Sequence, residues 1–430
     1  MSTQSSDAQE HAAPVKVLMV SWEYPPVVVG GLGRHVHHLA EALADLGVDV
    51  TVLTRRPSGT DASTHPTTDT VVNGVRVIAV AEDPPEFDFG VDMMAWTLAM
   101  GHGFIRAGLR LLGQGWTPDV VHAHDWLVAH PSVALAEVFD VPLVATLHAT
   151  EAGRHSGWVA GHVNRQVHSV EAWLARDADS LITCSASMSD EVTQLFGPDL
   201  APITVIHNGI DVDAWSFADR ARRTGPPELL FAGRLEYEKG VQDLIAAMPV
   251  IRRAHPGTML TVAGEGTQIT WLKELALTHG VAAAVDFAGR RDHHDLVALM
   301  HRCDAIVLPS RYEPFGIVAL EAAATGIPLV TSTVGGLGEA VTDGETGRSF
   351  APFDPAGLAE AVCDVLDHPQ VAAVRARRAV ERLTEEFTWR VVAQRTAAVY
   401  RAARIRPSAP RPRPEIPLRP MPDRDPNVSA

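Results

Sequence analysis

The chain has 430 residues, too many for one ordinary hydrophobic core, and this length predicts two or three domains. Its 52 acidic and 36 basic side chains give a formal net charge of -16. Such a balance argues against broad binding to nucleic acid or to an anionic membrane. Residues 1–14 lack the apolar segment of a signal peptide, and no apolar run is long enough to cross a membrane. We therefore expect a cytoplasmic protein.

Short β-branched runs alternate with helical patterns from Val15 onwards. Residues 1–14 are expected to be a disordered tail. The first predicted helix covers residues 32–46. The predicted strands of residues 15–213 are VKVLMVSW, VDVTVLT, VRVIAV, DVVHAH, VPLVATLH, DSLITC and PITVIH. Runs that are apolar on both faces are typical of a parallel sheet covered by helices. These residues are therefore predicted to form a Rossmann-like domain.

The same alternation begins again after a polar segment. Residues 214–227 are interpreted as a hinge, and residues 228–387 as a second Rossmann-like domain with strands at ELLFAG, TMLTVAG, AVDFAG, DAIVLP and PLVTS. Residues 388–405 are predicted to form a terminal helix that packs back on the first domain. Residues 406–430 are rich in proline and arginine and are expected to be disordered. The predicted fold class is α/β with two doubly wound domains.

A glycine-rich turn follows the first strand. Gly30 and Gly31 precede the first helix, and glycines there allow the backbone to approach a ligand closely and to point N–H groups at it. The spacing is not GxGxxG, since Val36 stands three residues after Gly33, so a dinucleotide site is disfavoured. A turn that binds no ligand remains an alternative.

Polar side chains end two further strands of the first domain. His124 and Asp125 follow DVVHAH, and His148 follows VPLVATLH, so all three should lie at the carboxyl edge of the sheet, where ligands bind. A metal site is one hypothesis, but a role for Asp125 as cap of the following helix explains it as well. Three histidines of the first helix are interpreted as a solvated face: His35, His37 and His38.

The second domain offers two cations after its first strand. Arg234 has a fork of donors that matches phosphate oxygens, and Lys239 adds a mobile charge five residues later. Together they would neutralise a diphosphate. Surface ion pairing with Glu236 and Glu238 is the alternative.

Two glutamates stand eight residues apart in RYEPFGIVALE. Glu313 lies in a turn, and Glu321 lies inside a helix predicted for residues 315–325. The backbone N–H groups of Phe315 and Gly316, at the positive end of the helix dipole, are suited to an anion or to sugar hydroxyls. Simple helix capping by Glu313 is the alternative.

The order of these motifs resembles the retaining glycosyltransferases of family 4, in particular the glycogen-synthase group. The likeness covers nearly everything from Val15 to Arg404 and includes SWEYPP, GGLG, HAHDW, NGID, GRLEYEKG, GEG, YEPFG and TSTVGGLGE. Within the group, the chain is similar to actinobacterial α-1,4-glucosyltransferases of methylglucose lipopolysaccharide synthesis. The resemblance implies the GT-B fold, in which two Rossmann-like domains face each other across a cleft.

The resemblance also implies roles for individual residues. Arg234 and Lys239 would bind the donor diphosphate, with Gly30 and Gly31 approaching it from the first domain. The ribose would be bound by Glu321. Glu313 and the amides of Phe315 and Gly316 would bind the glucose. His148 would contact the donor sugar near the reacting carbon. Asp125 and Glu23 would lie on the acceptor side.

The implied reaction is the transfer of glucose, with retention, to the non-reducing end of an α-glucan, glycogen or a methylglucose lipopolysaccharide precursor. Neither a metal nor another cofactor is expected. Val28 stands where members that use ADP-glucose usually have lysine, so UDP-glucose is as much expected as ADP-glucose. The alternatives are transfer to a small acceptor such as glucose 1-phosphate, a lipid or a glycoside, sugar-nucleotide epimerisation, and binding of a sugar nucleotide without catalysis.

Overall fold

A computed structural model describes residues 14–57, 60, 62–82, 86–155, 157, 159, 161–218 and 225–405. The tails predicted to be disordered lie outside these residues, except for Pro14, and so does the central part of the predicted hinge, residues 219–224. In the part of the chain that the structure describes, no helix is both long and apolar enough to span a membrane.

The first domain contains an eight-stranded sheet in the order β3-β4-β2-β1-β5-β6-β7-β8. All neighbouring strands are parallel except β3 and β4. The strands are β1 (Lys16–Val20), β2 (Asp49–Arg55), β3 (Thr68–Val72), β4 (Val75–Val80), β5 (Val120–His124), β6 (Leu143–Leu147), β7 (Ser180–Thr183) and β8 (Ile203–Val205). Strands β1, β5 and β6 are almost completely buried, as their apolar runs predict.

Among the described residues of this domain, six α-helices connect the strands. They are α1 (Gly31–Asp45), α2 (Met93–Gly113), α3 (Ala129–Phe139), α4 (Glu151–Arg154), α5 (His162–Asp177) and α6 (Ala186–Phe196). Helix α1 begins and ends one residue earlier than the sequence predicts. It starts directly after the glycine turn, so its N-terminus lies at the carboxyl edge of the sheet.

The second domain contains a parallel six-stranded sheet in the order β11-β10-β9-β12-β13-β14. Its strands are β9 (Glu228–Ala232), β10 (Met259–Ala263), β11 (Val285–Gly289), β12 (Ala305–Leu308), β13 (Leu329–Ser332) and β14 (Arg348–Phe350). Its helices are α7 (Val241–Ala254), α8 (Ile269–Thr278), α9 (His293–Arg302), α10 (Ile317–Thr325), α11 (Gly335–Ala340), α12 (Pro355–Asp367) and α13 (Pro369–Glu386). The predicted α/β class with two doubly wound domains is confirmed.

The last helix, α14 (Trp389–Ile405), lies on the first domain, where it packs against α1 and contacts β5 and β6. Tyr400 is fully buried there, and its hydroxyl is 2.7 Å from Nδ1 of His122 on β5. The chain thus crosses between the domains twice. The crossings lie side by side, since the N–H of Ile210 donates to the carbonyl of Phe387 at 2.8 Å.

Candidate active site

A buried carboxylate holds the turn between β1 and α1. Oε2 of Glu23 accepts hydrogen bonds from the backbone N–H groups of Val29 at 2.8 Å and Gly30 at 2.9 Å. Gly31 lies against the second domain, because a Cβ added there would be 3.2 Å from Cδ1 of Ile317. The absence of a side chain therefore lets the start of α1 approach the start of α10, where the donor phosphates are predicted to bind.

This geometry bears on two sequence-based predictions. Glu23 is only 3% exposed and its Oε2 binds the backbone of its own domain, and its acceptor-side role stays a prediction. The N–H of Gly30 is bound to Glu23 and is therefore not a free donor for a phosphate. Gly30 leaves open space in which a ligand can lie, since no other atom is within 4 Å of the position that its Cβ would occupy.

Asp125 fixes the backbone at the end of β6. Its φ is +63°, and its Oδ1 accepts a hydrogen bond of 2.7 Å from the N–H of His148. The suggestion that Asp125 caps the following helix is wrong, since its side chain makes no hydrogen bond to that helix. Burial raises the pKa of Asp125 to about 6, against the lowering effect of the His148 hydrogen bond. Asp125 thus positions His148, and its acceptor-side role stays a prediction.

His148 belongs to a row of packed imidazoles. Its Nε2 is 3.1 Å from Nδ1 of His124, and the ring of His35 packs edge-on against it with centroids 4.7 Å apart. Burial lowers the pKa of His148 to about 4, and burial also lowers the pKa values of His35 and His124. The three rings are therefore neutral at pH 7. His35 is 5% exposed and lies against Trp389 of α14, so placing it on a solvated face was wrong.

Two groups among the described residues have the ligand types and spacing for a metal ion: His35 with His124 and His148, and His37 with His38 and Glu41. Neutral imidazoles suit zinc. In the first group, however, Nε2 of His148 and Nδ1 of His124 can satisfy each other by a hydrogen bond. Metal independence stays a prediction that experiment has to test.

The two predicted diphosphate cations each lie beside an acid. Nζ of Lys239 is 2.7 Å from Oε2 of Glu313, and both side chains are more than four-fifths buried. The Arg234 guanidinium is mostly exposed and lies 3.0 Å from Oε1 of Glu238. The surface ion pair considered as an alternative for Arg234 therefore exists. An ion pair with so exposed an arginine is worth at most about 1 kcal/mol, so a phosphate can compete with the carboxylate for Arg234.

Helix α10 begins later than predicted. Gly316 precedes it as N-cap with a φ of +93°, and Ile317 is the first helical residue. A Cβ on Gly316 would lie 2.5 Å from Cδ2 of Leu337, so both the conformation and the packing require glycine. The amides of Phe315 and Gly316 therefore belong to the turn before the helix, and their contacts to glucose stay predictions.

Glu321 is paired across the cleft. Its side chain is 3% exposed, and its Oε1 lies 2.6 Å from NH1 of Arg34 on the first turn of α1. Burial raises the pKa of Glu321, and the guanidinium of Arg34 opposes this rise. The carboxylate predicted to bind the donor ribose is thus held by a cation from the other domain.

Further contacts bring the His148 loop opposite the Glu313 turn. Sγ of Cys184 lies 3.9 Å from the carbonyl oxygen of His148 and 3.6 Å from that of Pro314. The hydroxyl of Ser185 donates to the same Pro314 oxygen at 2.7 Å. The carboxylate of Glu339 accepts two N–H groups at the start of α6, each at 3.0 Å. His148 of the first domain therefore lies near the turn of Glu313, the partner of Lys239 in the second domain.

The sequence analysis missed these residues of the domain interface. Glu339 belongs to the TSTVGGLGE motif, but its partners at the start of α6 are more than 150 residues away along the chain. Cys184 ends the predicted strand DSLITC and Ser185 follows it, and this position at the carboxyl edge of the sheet was the available signal. All three cysteines of the chain are free.

Two doubly wound domains that meet at a cleft lined by cations and carboxylates define a glycosyltransferase of the GT-B class. Residues 29–214 match the model of the family Glycosyltransferase Family 4, and residues 215–382 match that of Glycosyl transferases group 1. The chain is also 66% identical over 414 residues to the glycogen synthase of Mycobacterium tuberculosis, which covers 95% of this chain and 100% of that protein. The chain therefore belongs to the family 4 glycosyltransferases, in the glycogen-synthase group, and is an enzyme.

Other relatives and solved structures agree with this assignment. A D-inositol 3-phosphate glycosyltransferase of Streptomyces avermitilis is 31% identical over 418 residues, covering 91% of this chain and 88% of that protein. Sucrose-phosphate synthase from Thermosynechococcus elongatus has a TM-score of 0.76 at 24% identity, over 90% and 98% of the two chains. The catalytic domain of starch synthase IV from Arabidopsis thaliana, bound to ADP and acarbose, has a TM-score of 0.70 at 16% identity, over 92% and 100%. The predicted family and GT-B fold are confirmed.

Proposed function

We propose that the enzyme is a retaining α-1,4-glucosyltransferase that moves glucose from UDP-glucose or ADP-glucose to the non-reducing end of an α-glucan. The observation that carries the proposal is the 2.7 Å ion pair between Lys239 and Glu313, which supports a site where the cation expected to bind the diphosphate adjoins the carboxylate expected to bind glucose. The 66% identity to a glycogen synthase supports a glucan as the acceptor. The three free cysteines are in keeping with a cytoplasmic location.

Charge neutralisation is the main chemical task of this site. A nucleoside diphosphate leaves readily once its developing charge is stabilised, so it needs no carboxylic acid to protonate it, in contrast to the leaving group in glycoside hydrolysis. Arg234 and Lys239 supply fixed positive charge for this purpose. No metal ion is required in this scheme.

Retention follows if the acceptor attacks from the face on which the diphosphate leaves. The bond from the anomeric carbon to the phosphate oxygen breaks, and a bond from that carbon to the acceptor oxygen forms on the same side. The proton of the acceptor hydroxyl passes to the departing phosphate oxygen. His148, neutral at pH 7 and held through its N–H by Asp125, orients the sugar in this reaction.

The acceptor is either glycogen or another α-glucan, such as the precursor of a methylglucose lipopolysaccharide. Transfer to a small acceptor, including glucose 1-phosphate, uses the same donor site. The contacts between the domains allow the cleft to exclude water and so protect the donor from hydrolysis.

An acceptor screen tests this function. The purified enzyme is incubated with labelled UDP-glucose or ADP-glucose and with a maltooligosaccharide, glucose 1-phosphate or no acceptor, and the products are separated by size. We expect the label in longer maltooligosaccharides. Label in a new sugar nucleotide without acceptor would instead identify an epimerase, and label only in a glucose 1-phosphate adduct a small-acceptor transferase. No turnover with any acceptor would indicate a binding protein.

A further inference from the structure

The charges on the second-domain side of the donor site do not favour a diphosphate by themselves. Its two cations, Arg234 and Lys239, each lie beside a glutamate, Glu238 and Glu313. The buried carboxylate of Glu321 adds a third negative charge. These five side chains together carry one negative charge in excess, whereas the ligand brings about two more.

Arg34 removes this excess. It lies on the first turn of α1, three residues after Gly31, whose position faces Ile317 at the start of α10. One guanidinium nitrogen is 2.6 Å from Glu321, while about half of the side chain remains exposed to solvent. A guanidinium has five N–H donors in a planar fork, so those not used by Glu321 remain for a second anion.

We propose, building on the proposed function, that Arg34 is a donor-binding residue of the first domain that bridges the Glu321 carboxylate and the diphosphate of the sugar nucleotide. When the donor is bound, the N–H groups along one edge of the guanidinium keep Glu321 ionised, so that this carboxylate can accept hydrogen bonds from the ribose hydroxyls. The other N–H groups bind phosphate oxygens. Arg34 then supplies from α1 a positive charge that the uncharged side chain of Val28 cannot supply.

This arrangement couples donor binding to the closure of the cleft. Arg34 and Glu321 lie 287 residues apart and belong to different domains, so a ligand that binds both of them holds the domains together. A neutral side chain at position 34 would leave Glu321 as a buried, unpaired carboxylate, and this would weaken ribose binding as well as phosphate binding.

Calorimetry with nucleosides and nucleotides tests the proposal. Dissociation constants are measured for UDP, ADP, uridine and adenosine with the wild type, with Arg34→Gln and with the control Arg110→Gln, which removes the same charge from an exposed position of α2. We expect Arg34→Gln to weaken whichever diphosphate binds tighter by about tenfold to a hundredfold, the usual effect of losing a charge-assisted hydrogen bond. The corresponding nucleoside should lose less, and Arg110→Gln should bind like the wild type.

A double-mutant cycle separates phosphate binding from simple support of Glu321. If Arg34 contacts the diphosphate, Arg34→Gln still weakens diphosphate binding by about tenfold when it is introduced into Glu321→Gln, where the carboxylate is already neutral. If Arg34→Gln has no further effect in that background, Arg34 acts only through Glu321 and the proposal is overturned. Equal losses for nucleoside and diphosphate in the single variant would overturn it as well.

Folding and function are checked separately. The melting temperature of each variant shows whether it is folded, and Arg34→Lys, which keeps the charge without the fork, should recover part of the diphosphate affinity. Wild-type transfer activity with unchanged diphosphate binding in Arg34→Gln would refute only the role of Arg34. Absence of glucosyl transfer by the wild type would refute the proposed function, whatever Arg34 does.

Discussion

At the scale of single residues, the positive charges of Lys239 and Arg234 should carry most of the leaving-group stabilisation. We expect Lys239→Ala and Arg234→Ala each to lower kcat by about two orders of magnitude or more, since one preorganised contact to developing charge is worth about 3–4 kcal/mol. Initial rates at saturating donor and glucan measure this effect.

The chain offers matched controls for both substitutions. Lys273 is an exposed lysine of the same domain, and Arg291 forms an exposed i,i+4 pair with Asp295 like that of Arg234 with Glu238. Lys273→Ala and Arg291→Ala should keep wild-type rates. If all four variants lost activity to the same extent, a general charge effect would explain the result and the diphosphate assignment would be wrong.

Position 28 offers a test of donor choice. Val28 is half-buried beside the glycine turn. The resemblance to glycogen synthases implies a lysine at this position in enzymes that use ADP-glucose. If the missing lysine relaxes donor choice, the wild type should use UDP-glucose at least as well as ADP-glucose, and Val28→Lys should shift kcat/KM toward ADP-glucose by tenfold or more, the effect of about 1.5–3 kcal/mol from one charged contact. A strong wild-type preference for ADP-glucose, unchanged in Val28→Lys, would contradict this.

A buried carboxyl should make the protein less stable as the pH rises through the weakly acidic and neutral range. Burial raises the pKa of Glu171 to about 8, although it accepts a hydrogen bond from the N–H of Glu151. The folded protein therefore keeps a proton that the unfolded chain releases near pH 4.5. The free energy of unfolding should fall between about pH 4.5 and 8, by up to about 1.4 kcal/mol per pH unit.

The neutral variant Glu171→Gln tests this assignment, with the exposed Glu137→Gln as control. Urea unfolding at pH 6 and pH 8.5 should show a smaller loss of stability in Glu171→Gln than in the wild type. A wild-type protein with equal stability at both pH values would show that Glu171 is ionised in the folded state throughout.

At the scale of structural elements, α14 should stabilise the first domain through a buried hydrogen bond. Tyr400→Phe would leave Nδ1 of His122 without its partner, and an unsatisfied buried polar group costs about 1–3 kcal/mol. Urea unfolding measures this loss. Tyr237→Phe, at a half-exposed tyrosine of the second domain, should cost less than about 0.5 kcal/mol. Equal effects of the two substitutions would exclude a specific role for the Tyr400 hydroxyl.

The start of α11 supports the Glu313 turn by close backbone packing. A Cβ on Gly336 would lie 2.3 Å from Cα of Phe315, so Gly336→Ala must displace this turn. We expect a loss of activity of about a hundredfold, because misplacing a site by about 1 Å has effects of that size. Gly344→Ala is the control, since its φ of +75° makes it strained while no atom lies near its Cβ. Full activity of folded Gly336→Ala would contradict the role of this contact.

The accuracy of sequence-based prediction differed between elements for physical reasons. Buried parallel strands such as β5 were predictable because both of their faces are apolar. Strand β3 was not predicted, because it is an exposed edge strand with the sequence TDTVV. The burial of His35 and the pairing of Arg34 with Glu321 depend on residues more than 280 positions away, and no local pattern encodes such contacts. The family resemblance nevertheless includes Lys239, Glu313 and Glu321, whose contacts depend on the fold.

At the scale of the whole molecule, the proposed mechanism requires that the protein's own cations replace a metal ion. Activity should therefore persist in excess EDTA. Loss of activity with EDTA that magnesium or manganese restores would show that an ion takes part. If zinc alone restored it, the imidazoles of His35, His124 and His148 would be the ligands to examine.

The reaction proposed for this enzyme is glucosyl transfer to a glucan with retained configuration. The most direct measurement is NMR of the product formed from nucleotide glucose labelled with ¹³C at the anomeric carbon and a maltooligosaccharide, with EDTA present. We expect the labelled carbon to appear in a new α-1,4 linkage at the non-reducing end from the first turnovers. A β-linked product, or label released only as free glucose, would contradict it.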